Sequence, residues 1–286
     1  MTNETSNSVL SATRFPVAKL VALVSAGFVV VLTIMTMTQR SMYYATDQTD
    51  PGAAIMHFPK AQDIRLTTDD GLKLSAWKVI PEEPNGKAVL YLPGNGGNRL
   101  HRAEVGQALA DEGFTVLLMD YRGFGGNPGE PTEEGLVCDA RAALLELNDS
   151  GFANEDVLFV GESIGGGVAP QLATTQPPAA MLLRSPFPSL ADAAEYRLKL
   201  PIGFLVWDQF DSLSYAPNLD MPVAVLAGSD DAIVPAKQSR QLADAFPNLI
   251  DFTEIDGAGH NDELWFGPFL AEQVTALANA TAGAKP

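Results

Sequence analysis

The chemistry in this chain starts from a serine held between glycines. Gly161-Glu162-Ser163-Ile164-Gly165 lies between the apolar run DVLFV and text of helical character. A G-x-S-x-G at such a junction makes a sharp turn in which the serine takes a strained backbone conformation and presents its Oγ at the strand end. The glycines leave room for that turn. The helix that begins there aims its N–H groups and positive dipole end at the same place, so the backbone N–H of Ile164 is the expected oxyanion donor. The blander reading is a glycine-rich strand–helix turn with an ordinary serine. A phosphate loop is a poorer one, since no G-x-x-x-x-G-K-[ST] occurs.

Two further segments could complete a nucleophilic relay. Gly228-Ser229-Asp230-Asp231 follows the apolar run VAVLA, and an acid just past a strand end can orient a histidine and stabilise its protonated form. Either aspartate could instead cap a turn or the helix near Pro235. Spacing leaves open which one caps and which one reaches the histidine. Gly257-Ala258-Gly259-His260-Asn261-Asp262 follows IDFTEI, and a glycine-flanked loop lets His260 swing toward Ser163. His57 precedes the sheet, and His101 falls at a surface position of the first helix after a Gly-rich loop. That loop, Pro93-Gly94-Asn95-Gly96-Gly97-Asn98, can turn a backbone N–H into the site, and Asn95 is the expected second oxyanion donor. It lacks the G-x-G-x-x-G of a dinucleotide site.

The intervening text alternates strands and helices. Residues 63–67 and 72–80 read as a hairpin about Asp70-Gly71. Short apolar strands at 87–92, 115–120, 156–160, 180–184, 223–227 and 250–255 alternate with helices at 100–112, 132–148, 164–175, 236–245 and 263–278. This order predicts an α/β fold: a mostly parallel sheet covered by helices on both faces, with the antiparallel pair at one edge. Residues 185–219 break the alternation with six aromatics and four prolines. They read as a small cap whose aromatics serve either its own packing or an apolar substrate.

Ahead of this domain (61–280) lie a polar tail (1–16), an apolar segment (17–40) and a linker (41–60). Residues 20–39 carry no charge; as a helix they would span about 30 Å, the thickness of a bilayer core. The text after them offers no A-x-A cleavage site, so an uncleaved single-pass anchor is expected rather than a signal peptide. Arg14 and Lys19 precede the segment and Arg40 follows it, which places the catalytic domain on the non-cytoplasmic side. A net charge of −17 speaks against nucleic acid as partner. One cysteine, Cys138, permits no internal disulfide, and three histidines leave little from which to build a structural zinc site.

Together, YLPGNGGNR, DYRGFGGNPGEPTEEGL, GESIGGG, RSPFPSLADAA, FDSL, GSDDAIVP and GAGHND resemble the α/β-hydrolase superfamily. They look most like its membrane-anchored α/β-hydrolase-domain-containing and serine-aminopeptidase-like branch. The resemblance implies a serine hydrolase with Ser163 as nucleophile, His260 as base, Asp231 rather than Asp230 as acid, and Ile164 and Asn95 as the oxyanion hole. It implies carboxylic ester cleavage, including lipid or acyl-thioester bonds, through an acyl-enzyme that needs no metal or organic cofactor. The partners would be a small-molecule or lipid acyl substrate and the bilayer. A peptidase or amidase, or a non-catalytic binding protein, are the alternatives on the same fold. Pro93 stands where family members often carry a histidine, which changes the support of the Asn95 loop. Asp120 and Arg122, in the family-like DYRGFG, are expected to brace loops rather than react.

Overall fold

The computed structural model describes residues 9–282. The chain divides into two units, Met1–Tyr43 and Tyr44–Pro286. The first is a single helix, α1 (Val9–Tyr43). Within it Val17–Ser41 is long and apolar enough to cross a membrane. Thr33, Thr36 and Thr38 return their hydroxyls to the carbonyls of Val29, Leu32 and Ile34, four residues back, at 2.8, 2.7 and 2.9 Å. Their hydroxyls are thus satisfied within the helix. Of the polar tail expected at 1–16, residues 1–8 lie outside the described residues and the remainder is helical.

The second unit is built on one eight-stranded sheet. Its strands are β1 (Ala61–Thr67), β2 (Lys73–Val79), β3 (Ala88–Leu92), β4 (Thr115–Met119), β5 (Val157–Glu162), β6 (Ala180–Arg184), β7 (Val223–Gly228) and β8 (Leu249–Ile255). The order is β1-β2-β4-β3-β5-β6-β7-β8. β2 runs antiparallel to both β1 and β4, and all later neighbours are parallel. The helices are α2 (Ala103–Asp111), α3 (Glu133–Asp149), α4 (Gly165–Ala173), α5 (Leu190–Leu198), α6 (Ser212–Tyr215), α7 (Ala236–Ala243) and α8 (Pro268–Ala282). Every residue of β3 through β7 is buried, as a parallel sheet covered on both faces demands. The α/β-hydrolase fold expected from the sequence is the fold observed.

The winding direction reverses between β3 and β5. In open α/β sheets ligands bind outside the carboxyl ends of the strands at such a switch point. Here those ends carry the Pro93–Asn98 loop and the Ser163 turn.

Three segments differ from the sequence reading. The last helix begins at Pro268, after a 3-10 turn at Glu263–Phe266. Gly267 is extended between them, and proline suits the first helical position. Residues 44–60, read as a linker, pack on the domain: Tyr44, Ala54 and Phe58 are buried, and Phe58 meets the Trp77 ring edge-on at 5.8 Å. The aromatics of 185–219 divide. Phe187 and Phe210 are buried, whereas Tyr196, Phe204 and Trp207 are exposed.

Close packing at the switch point depends on one missing side chain. A Cβ on Gly165, the first residue of α4, would lie 2.0 Å from the Leu92 carbonyl oxygen and 2.9 Å from that of Pro93. These are backbone atoms at the end of β3, so helix and strand would have to separate. Gly165→Ala should therefore lose about 3 kcal/mol of unfolding free energy in urea. Gly96→Ala, where a Cβ meets nothing within 4 Å, should shift it by less than ~0.5 kcal/mol. Equal effects at the two positions would show that this contact is not what constrains the turn.

Candidate active site

The backbone of Ser163 has φ +51°, in the left-handed region rarely taken by a residue with a side chain. The turn holds it there: the Ser163 N–H donates to the Arg184 carbonyl at 2.9 Å, and the Gly166 N–H donates to the Ser163 carbonyl at 2.8 Å. The Oγ then lies 3.0 Å from His260 Nε2. On the other side of the ring, Nδ1 lies 2.7 Å from Asp231 Oδ2. The structure brings together the serine and histidine of the two glycine-flanked motifs and the aspartate that the resemblance implied.

Asp231, the acid that the resemblance implied, fills both roles that spacing left open. Its Oδ1 accepts the N–H groups of Ile233 and Val234 at 2.9 and 2.7 Å, while Oδ2 faces the histidine. Burial alone would raise its carboxyl; the hydrogen bond and charge of His260, with the two N–H groups, outweigh that and hold it below the usual carboxylate range. Asp230 is exposed, and its carboxylate accepts from the neighbouring Ser229 hydroxyl. The end of β7 packs against the loop that carries the base, where a Cβ on Gly228 would lie 2.2 Å from the Ala258 carbonyl oxygen. The His260 loop is pinned further by the Trp265 indole N–H, which donates to the Gly259 carbonyl at 2.8 Å.

Among the described residues, the backbone N–H groups of Ile164 and Asn95 have no hydrogen-bond acceptor. The Asn95 side chain is engaged elsewhere, where its Oδ1 accepts the Ala45 N–H at 2.9 Å. Asn98, buried, donates to Asp47 Oδ2 and the Thr49 carbonyl at 3.0 and 3.1 Å. The segment following α1 is thus laced to the Gly-rich loop. Of the other histidines, His57 stacks on Trp77, and exposed His101 accepts the Asn98 N–H. Asp120 pairs with Arg99, and Arg122 with Asp139 and Asp70; none of these pairs includes Ser163, Asp231 or His260.

Sequence reasoning missed the group that ties these loops together. Glu162, the variable residue before the serine, is buried, accepts from two residues and is ion-paired with a third. Arg102 donates to it at 2.6 and 3.1 Å and the Tyr91 hydroxyl at 3.0 Å, and the Arg184 guanidinium lies 2.9 Å away. Arg102 also donates to the carbonyls of Gly96 and Asn98 in the Gly-rich loop, and Arg184 to the carbonyl of His260. One carboxylate therefore fixes, through two guanidiniums, the serine turn, the Gly-rich loop and the histidine loop. These cations supply the loop support that Pro93 does not. The available signal was an arginine closing the apolar strand text AMLLR. Register pairs Glu162 with Arg184 across β5 and β6.

Burial alone would raise the Glu162 carboxyl, but the charges of Arg102 and Arg184 outweigh it and hold it at about 2. Its ordinary value is 4.5. A carboxyl lowered on folding stabilises the fold above its unfolded value and ceases to do so as pH falls through its folded value. Glu162 should thus contribute about 3 kcal/mol at neutral pH, lost between roughly pH 4.5 and 2. Glu162→Gln leaves two buried guanidiniums without a counter-charge and should cost roughly 3–5 kcal/mol at pH 7. The difference between variant and wild type should shrink toward pH 3. Urea unfolding at both pH values checks this, and a pH-independent difference would refute it.

A family model described as "Serine aminopeptidase, S33" matches residues 83–207, and one described as "alpha/beta hydrolase fold" matches residues 203–266. An uncharacterized protein of Mycobacterium tuberculosis is 39% identical over 274 residues, covering 93% of this chain and 95% of that one. An alpha/beta hydrolase domain-containing protein of Arabidopsis thaliana is 30% identical, covering 70% and 72%. A lysophosphatidylserine lipase of Danio rerio is 27% identical, covering 63% and 57%. Among solved structures, an esterase of Pyrococcus furiosus superimposes with a TM-score of 0.65 at 22% identity, covering 82% and 98%, a likeness of fold. With this sheet, these loops and these relatives, the chain belongs to the α/β-hydrolase superfamily and is one of its serine hydrolases.

Proposed function

We propose that this protein is a membrane-anchored carboxylic ester hydrolase that works through Ser163, His260 and Asp231. The observation that carries the proposal is the relay itself, with His260 Nε2 3.0 Å from Ser163 Oγ and Nδ1 2.7 Å from Asp231 Oδ2. His260 takes the Oγ proton as Oγ attacks the carbonyl carbon of the substrate. The negative charge that develops on the carbonyl oxygen falls to the N–H groups of Ile164 and Asn95. Asp231, held ionised by its partners, stabilises the imidazolium. His260 then protonates the leaving alcohol, and water, activated by the same base, releases the acid from the acyl-enzyme.

The substrate we infer is an acyl ester of a lipid or lysolipid, or an acyl thioester. An apolar helix precedes the domain, the cap exposes aromatics, and a related chain is a lysophosphatidylserine lipase. The anchor is α1, with Arg14 and Lys19 before the span and Arg40 after it. By the charge rule the catalytic unit then lies on the non-cytoplasmic side. The aminopeptidase description of the first family model favours a second reading, cleavage of an N-terminal peptide bond.

Two experiments test this reading. A fluorophosphonate probe should label the wild type and leave Ser163→Ala unlabelled; labelling of the alanine variant would reject Ser163 as nucleophile. Against p-nitrophenyl esters from acetate to palmitate, Asp231→Asn should lower kcat by about 10³–10⁴-fold, as loss of a triad acid does elsewhere. Asp230→Asn should stay within about twofold. Turnover of aminoacyl p-nitroanilides without turnover of any ester would favour the peptidase.

A further inference from the structure

We infer that the exposed edge of the cap is a membrane-docking surface that sits in the headgroup region of the bilayer. The inference rests on the anchoring proposed above. In the unit from Tyr44 onward, exposed large apolar side chains occur singly at Leu100, Leu145, Ile233 and Ile250 and as the pair Ile55 and Met56, whereas five fall in one stretch of the cap. Tyr196, Leu198, Leu200, Phe204 and Trp207 are exposed by 40, 42, 54, 83 and 53%. They run from the last turns of α5 through the 3-10 turn Gly203–Leu205, and α5 has no buried side chain of its own. Core packing does not account for this, because Phe187 and Phe210 fill the inner side of the same segment. A contiguous exposed apolar patch marks a surface that something covers.

Chemistry and chain connectivity identify what covers it. Arg197 and Lys199 are interleaved with the aromatics, and the Lys199 ammonium lies 3.6 Å from the centre of the Tyr196 ring. On a chain of net charge −17, cations placed here with Trp and Tyr form an interfacial composition: apolar bodies toward acyl chains, charged tips toward phosphates. The patch is also held by the first residue of its own unit. Tyr44 is buried, and its hydroxyl donates to Asp208 Oδ2 at 3.2 Å, one residue beyond Trp207. Val17–Ser41 can cross the membrane, and only residues 42 and 43 intervene before Tyr44. At 3.3–3.6 Å per residue that is at most about 11 Å, so Tyr44 and the patch lie within headgroup reach. An ester that resides in the bilayer would meet the cap without first entering water.

The tryptophans make this measurable in the full-length chain. Of three, Trp77 and Trp265 are fully buried and Trp207 is half exposed. The chain is reconstituted in phosphatidylcholine vesicles with brominated acyl chains and recovered by flotation. Bromolipid should quench the Trp207 emission by at least a third relative to unbrominated lipid, with little quenching by aqueous iodide, and Trp207→Phe should abolish the effect. Three results would overturn the proposal: a chain that does not float with the vesicles, Trp207 open to iodide and unquenched by bromolipid, or Trp207 shielded from both. The last would point to a protein partner or a second copy. Fluorophosphonate labelling of the same preparation reads the hydrolase separately. A negative quenching result beside a labelled Ser163 therefore rejects the docking surface and leaves the hydrolase standing.

Discussion

A single buried carboxylate, Glu162, holds the catalytic face in register. Charge does not enter a protein interior alone, since the cost of dehydration must be offset by partners. Here the partners are the charges of Arg102 and Arg184, both buried, together with a hydrogen bond from the Tyr91 hydroxyl. Each guanidinium has donors left over after meeting Glu162, and those donors go to the carbonyls of the loops that carry Asn95 and His260. The planar fork of arginine makes this possible; a lysine could not serve two directions at fixed geometry.

This arrangement separates support from chemistry. The strained φ of Ser163 persists because the surroundings over-determine it. The elbow hydrogen bonds hold it from either side, the Gly165 contact closes the gap to β3, and the ion cluster ties the neighbouring loops together. The reacting atoms can then sit at hydrogen-bond distances. The acid is arranged on the same logic. One oxygen of Asp231 satisfies its own turn, and the other is free to orient His260.

The segment after α1 packs on the catalytic loops. Ala45 donates to Asn95, Asp47 and Thr49 accept from Asn98, and the Gly125 N–H donates to the Asp47 carbonyl. A stretch whose composition suggests only a tether therefore supports the Gly-rich loop, and its first residue, Tyr44, reaches the cap. Nothing in the local text of residues 44–49 announces this, because every one of those contacts is made to residues distant in sequence.

The residues of the relay and the order of strands were legible in the sequence because each rests on a local cause. Gly161 and Gly165 flank a turn that few other residues allow, apolar runs of strand length alternate with helical periods, and Gly257-Ala258-Gly259 frees the loop before His260. The N-terminal helix was legible for the same reason, as length and apolarity are properties of one segment. Tertiary structure alone decided that one aspartate both closes its own turn and faces the histidine, that Glu162 is the hub of the site, and that the cap aromatics divide between core and surface. Adjacent residues such as Asp230 and Asp231 share one local signal yet point to opposite surroundings. A charged side chain becomes a buried hub only when the sheet register brings Arg184 beside it and a loop delivers Arg102. Local propensity is written along the chain, whereas burial and pairing arise between segments that meet only in the folded sheet.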